Sequence, residues 1–235
     1  MPARGIAYDD RQMTETRTAP RPVRRRARRE WLIPAGLILL VLVPIVAGAM
    51  RFTSLVSGAE ATPDNARFVS MPAPVIIHII SVTVYSVMGA FQFHPTLRRR
   101  RPLWHRVSGR ILVPMGIAAA ASGLWMNQAY DLPADSYGPL WVARWVFGLG
   151  MIASIVLGLL AVLRRDFRQH RAWMMRGYAI AVAAGTQVLT SLVWFIVVGE
   201  AAANTTTVPL IAGWVLNLAV AEWIIRRRPA RRIQP

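Results

Sequence analysis

Apolar residues in this chain come in blocks. Six runs stand out, roughly Trp31–Met50, Pro72–Phe93, Ile111–Ala129, Leu140–Leu163, Trp173–Gly199 and Val208–Ile225, with short polar segments between them. Each approaches the ~20 residues that a helix needs to cross ~30 Å of hydrocarbon. A helix satisfies its own backbone in lipid, so runs of this length predict transmembrane helices. The expected fold class is therefore all-α, an integral membrane bundle of six transmembrane helices. Pro34, Pro44, Pro74 and Pro114 fall near the ends of runs or inside them, which membrane helices tolerate better than soluble ones.

The polar segments alternate in charge. Nine arginines precede residue 30, six lie in residues 98–110, five in 164–176 and five at the C-terminal end. The alternate segments hold only Arg51 and Arg67, together with Glu60, Asp64, Asp131, Asp135 and Glu200. Basic loops stay on the cytoplasmic side, so this pattern predicts an even number of crossings with both termini inside, in a bacterial plasma (inner) membrane. All nine tryptophans fall near the ends of runs, where an amphipathic ring prefers to sit. Three segments follow: residues 1–30 as a disordered Arg-rich tail, 31–225 as the six-helix domain, and 226–235 as a short basic tail.

Composition adds two exclusions. The 235 residues include no cysteine, which removes disulfides, thiolate metal sites and thiol nucleophiles. The net charge of +17 comes entirely from arginine. Those arginines follow topology and are not organised on a soluble domain, so they predict contact with anionic lipid at the cytoplasmic face and no nucleic acid. No Walker loop, HExxH, dinucleotide fingerprint or Ser/His/Asp arrangement is present.

Two packing features are visible. Gly177, Ala181 and Gly185 make a small-residue stripe at four-residue spacing, and Ala118/Ser122 and Ala119/Gly123 do the same on the third helix. Such stripes let helix backbones approach closely. The segments LRRRRPLWHR and LRRDFRQHR each lead into a following helix through His-Arg, which hints at two duplicated hairpins.

The candidate chemistry lies in a few polar residues. His105 and His170 sit at the starts of the third and fifth helices, on one membrane face. If those helices are neighbours, the imidazoles converge as metal or haem ligands; the plainer alternative is two interfacial histidines. His78 lies inside the second span, where an ionisable group is a functional candidate by default. It is roughly 25 Å from His105 along the membrane normal at the helical rise, too far to share a metal. Met126, at similar depth to His78, is a candidate partner for it. Arg144 lies within the fourth span. It would either snorkel, pair with Asp131 or Asp135, or hold a carboxylate or haem propionate. Arg106, Arg110, Arg171 and Arg176 surround the basic helix ends as a candidate anion site. Gln187, Thr190 and Asn217 are expected to hydrogen-bond between helices, and His94 to lie at the interface.

Four features carry a family resemblance: the intramembrane His78, GAFQF at Gly89–Phe93, HRVSGR at His105–Arg110, and HRAWMMRGYA at His170–Ala179. Over roughly residues 70–200 the chain resembles the bacterial membrane proteins grouped as domain of unknown function 2306. It departs at Ala90, where the family pattern has proline after the glycine. The resemblance implies a helical membrane fold. The histidine layout is similar to that of transmembrane b-type cytochromes, which bind haem between helices.

Three functional expectations follow. A haem b or quinone-linked redox protein would use His105, His170 and His78, with the arginines neutralising propionates or a quinone oxygen. A transporter, or a binder of anionic lipid or small anions, would use the same arginines. A membrane scaffold would need neither.

Overall fold

The computed structural model describes residues 23–199 and 205–227, with side chains from Glu30 onward. Helices account for nearly all of it, and no strand occurs among the described residues. In chain order they are α1 (Val23–Val56), α2 (Ala66–Ser70), α3 (Pro72–Gln92), α4 (Pro95–Arg100), α5 (Pro102–Ala129), α6 (Pro139–Leu163), α7 (Phe167–Ala181), α8 (Ala183–Val198) and α9 (Thr207–Arg226). A short 3-10 turn, Ala134–Ser136, precedes α6.

Helix starts follow local chemistry. Pro72, Pro95, Pro102 and Pro139 each occupy the first turn of a helix, where a missing N–H costs nothing. The Asp166 side chain caps α7 by accepting from the Gln169 N–H at 2.9 Å. His94 caps α4 through Nδ1, which accepts from the Leu97 N–H at 3.1 Å. His94 is only 4% exposed and packs against Trp31, with ring centres 4.6 Å apart. It is thus a buried cap at the start of α4.

Five helices are long and apolar enough to cross a membrane: residues 30–56 of α1, then α3, α5, α6 and α9. The fifth apolar run is not one straight helix. It is the pair α7 and α8, bent by 47° at Val182, and it makes a sixth crossing if the pair is one span. No proline or glycine stands at the break itself, which is why periodicity alone shows a continuous run. The first helix also starts earlier than expected, at Val23, so residues 23–30 continue α1 and are not part of a separate disordered tail. Residues 1–22 and 228–235, including most of both expected tails, lie outside the described residues.

The long helices form a closed ring. α1 packs on α3, α3 on α5, α5 on α6, α6 on α9, α9 on α8, and α8 returns to α1. The arginine-rich segments gather at one end, called here the basic pole, where Trp31 meets His94 and Arg176 meets Glu222. There α7 packs on α6 and α9 and also reaches α3 and α5, filling the centre of the ring. Tyr178 of α7 is wedged between Tyr85 of α3 and Phe93, the residue that ends α3, at 6.0 and 4.9 Å between ring centres. Its hydroxyl donates to the Ser86 carbonyl at 2.7 Å. Beyond Val182 the chain turns aside, and α8 lies between α1 and α9.

That departure needs two specific contacts. Asn217 of α9 bridges both sides of the break: its Nδ2 donates to the Ala179 carbonyl at 3.0 Å, and its Oδ1 accepts from Thr186 at 2.7 Å. Gln187 and Thr190 continue the seam by donating to the Leu210 and Pro209 carbonyls. On the other side Gly185 lies so close to α1 that an added Cβ would collide with the Leu40 carbonyl oxygen. Pro44 cannot donate back to that carbonyl, so α1 presents a bare backbone oxygen to its neighbour. The small-residue stripe is therefore split by the bend. Gly177 faces Ser154 and Ile155 of α6, while Gly185 faces α1.

The two hairpins at the basic pole do not repeat one another. The first contains α4, whereas the second is a tight turn with Arg165 in the left-handed region at φ 62°. Their likeness is compositional.

Candidate functional site

Because α7 fills the ring at the basic pole and α8 leaves it at the other, the half away from the basic pole is hollow. The cavity measures about 570 Å³ and is lined by every long helix of the ring. A volume of this size suits one small organic molecule. Its floor is Ser86, Met151 and Ile180, immediately above the tyrosine-packed layer. Its walls are largely apolar, with Val41, Ile45, Leu124, Phe147 and Trp214 among them. Phe147 and Trp214 stack across the α6–α9 contact, 4.8 Å between ring centres and 18° from parallel. Phe68 and Arg67 of α2, with Tyr130, Leu132, Pro133 and Ser136 of the connection to α6, lie at its mouth.

The polar groups of the cavity are few and mostly committed. His78 of α3 lies one to two turns from the helix start, and its Nδ1 is 2.8 Å from the Ala119 carbonyl of α5. Asn127 exchanges two hydrogen bonds with Trp141: its Nδ2 donates to the Trp141 carbonyl at 3.2 Å, and the indole N–H donates to the Asn127 carbonyl at 3.1 Å. Arg144 makes only long contacts, 3.4 Å to Asn127 Oδ1 and 3.5 Å to Ser136 Oγ. Asp135 is near enough to act on it electrostatically. The Asp135 carboxylate instead accepts from Thr206 at 2.7 Å, and no ion pair to Arg144 forms among the described residues. Tyr130 donates to the Met71 carbonyl at 2.8 Å, and burial holds its phenol above the ordinary range. The lining contains two arginines and a histidine but no carboxylate.

The candidate residues thus fall into two groups. His78, Met126 and Arg144 line one cavity. His105 and His170 lie at the basic pole, where α5 and α7 meet over a small contact, close enough to interact electrostatically. His170 Nδ1 is 2.8 Å from the Gly158 carbonyl of α6, and His105 Nδ1 is buried without a partner among the described residues. No third metal-ligating side chain joins them among the described residues. Arg106 and Arg110 are exposed, and Arg176 is paired with Glu222 and stacked at 4.5 Å on Trp173.

Sequence reasoning did not single out Arg67, Asn127, Phe147 or Trp214 as cavity residues. An asparagine or a tryptophan near a helix end is the usual interfacial pattern, and nothing local distinguishes these positions.

The family model for the predicted membrane proteins grouped as domain of unknown function 2306 matches residues 75–225. The chain belongs to this family. The match includes α9, which the four motifs did not reach, and it contains both His78 and Arg144. No curated protein and no solved structure matches the chain. In this member of the domain of unknown function 2306 family, α1 closes one wall of the cavity from outside the matched segment.

Proposed function

We propose that this multi-pass membrane protein binds a small amphipathic anion in the central cavity, with Arg144 as its counter-ion. The observation that carries this reading is the charge of the lining: Arg67 and Arg144 face the cavity and no carboxylate does. The hydrogen-bond contacts of this partly buried guanidinium are long and neutral, and the nearby Asp135 carboxylate accepts from Thr206 and forms no ion pair with it among the described residues, so a carboxylate or phosphate of a ligand would supply a direct charged partner. The apolar floor and walls would take a hydrocarbon portion, so the anionic group would lie toward the mouth.

Fluorescence quenching in neutral-lipid nanodiscs tests this. Trp214 should be quenched by 11-bromoundecanoate, measured as the difference from Trp214→Phe. The methyl ester should quench it far less, and Arg144→Gln should weaken the acid by about tenfold or more. Equal quenching by acid and ester would remove the reading.

The arginine asymmetry supports an orientation with the basic pole in the cytoplasm of the inner membrane, so the cavity would open away from it. A reporter fused at the C-terminus should then be active only in the cytoplasm; periplasmic activity would reverse the arrangement.

One observation favours a second reading, haem b. His78 is held by its Nδ1 with the other ring nitrogen left open, the usual state of an iron-ligating histidine, and Met126 lines the same cavity. Arg144 would face a propionate. A reduced-minus-oxidised visible spectrum with sharp α and β bands, lost in His78→Ala, would establish it. Retention of those bands in His78→Ala, with loss in His105→Ala and His170→Ala, would move the haem to the basic pole.

A further inference from the structure

The anion reading says what Arg144 needs; the remaining polar atoms of the cavity say what the rest of the ligand carries. His78 Nδ1 faces the Ala119 carbonyl at 2.8 Å. A carbonyl oxygen has no proton to give, so Nδ1 is the protonated nitrogen. Ser122 Oγ, 3.3 Å from the same nitrogen, does not alter this, because its own hydrogen is directed to the Ala118 carbonyl at 2.6 Å. The neutral ring then keeps its lone pair on Nε2, and no hydrogen bond to Nε2 forms among the described residues. The ring is seated against Gly123, where an added Cβ would lie 3.4 Å from Cε1.

Gln187 repeats the pattern. Its amide nitrogen donates to the Leu210 carbonyl at 2.9 Å, which fixes the amide orientation and leaves Oε1 as an acceptor. Asn127 offers nothing more, since its nitrogen is used by Trp141 and its oxygen by Arg144. The open polar functions of this cavity thus include donor groups on Arg144 and Arg67, the Thr83 hydroxyl, and two neutral acceptors, on His78 and Gln187.

We infer that the ligand is an acid that also carries a hydrogen-bond donor, a hydroxy acid in the simplest case, whose O–H is accepted by His78 Nε2. The inference rests on the anion reading of the cavity. Water can serve Nε2 while the cavity is empty. A plain alkyl acid would displace that water and leave the acceptor unpaired, whereas a hydroxyl replaces it.

The test is competition against 11-bromoundecanoate at Trp214 in the same nanodiscs. The competitors are dodecanoate and its 2-, 3- and 12-hydroxy derivatives, each beside its methoxy analogue. The methoxy compounds keep the oxygen and lose only the donor, so the wild-type protein alone suffices. At least one hydroxy acid should compete about tenfold better than its methoxy partner and than dodecanoate. That preference should vanish in His78→Phe, which retains Arg144. If dodecanoate and the methoxy acids match every hydroxy acid, this inference fails while the anion reading stands. A preference that survives intact in a folded His78→Phe likewise removes His78 as the acceptor. If no acid displaces the probe, the anion reading fails and this inference with it.

Discussion

The two halves of this bundle are built from the same helices yet differ in what fills their centres. Near the basic pole the axis is occupied by α7, with Tyr178 packed on Tyr85 and Phe93. In the other half α8 has moved outward to α1, and the axis is a cavity of about 570 Å³. The difference lies at one point, the 47° bend at Val182. A straight fifth span would keep to one line through both halves. A broken one seals one half and opens the other, a device that membrane proteins use where a site lies among helices.

The contrast can be broken from either side, and the packed half should be the more sensitive. Tyr178→Ala should cost about 3–5 kcal/mol, because it empties a filled layer and leaves the Ser86 carbonyl without its donor. Phe147→Ala, on a wall that already faces space, should cost only about 1–2 kcal/mol. Unfolding titrations in mixed detergent micelles would measure both, and equal losses would contradict the division into a packed and a hollow half.

Asn217→Leu comes next. It removes hydrogen bonds on both sides of the break, to Ala179 and Thr186, and should cost about 1–2 kcal/mol. The same titration reads it, and ligand binding should weaken with it if the bend shapes the cavity. Arg144→Gln should behave in the opposite way, lowering binding while changing stability by less than about 1 kcal/mol, since its present contacts are long and neutral. A large destabilisation would assign Arg144 to the fold and not to a ligand.

The smallest effect concerns pH. Burial raises the Tyr130 phenol above its value of 10.0 in the unfolded chain, so the folded state favours the neutral form. Its contribution is complete below that pH and is lost as pH rises through the folded value. Melting curves above pH 10 should therefore fall less steeply for Tyr130→Phe than for the parent protein. Parallel curves would show that Tyr130 does not titrate in that range.

The candidate site was legible only in pieces. His78 and Arg144 stood out because ionisable groups inside apolar runs are costly and rarely idle. Their convergence was not legible, because they lie on α3 and α6, which are separated in the ring by α5. Of the arginines at the basic helix ends, Arg176 is paired with Glu222, 46 residues away in the chain, a contact that local sequence does not show. The His-Arg repeats suggested matched hairpins, but a cap at His94 and a left-handed Arg165 give the two connections different backbones.

By itself the sequence determined that this is a helical membrane protein, roughly where its apolar helices lie, and which segments share the basic pole. These follow from local quantities: the length of each apolar run, proline at helix starts, and the sign of the charge between runs. Only the tertiary structure decided that the fifth run bends, that the bend leaves a cavity, and which polar atoms face it. The reason is physical. The bend at Val182 is held by Asn217 from α9 and by a close approach of Gly185 to the Leu40 carbonyl of α1, and no pattern within the run itself encodes contacts made by two other helices.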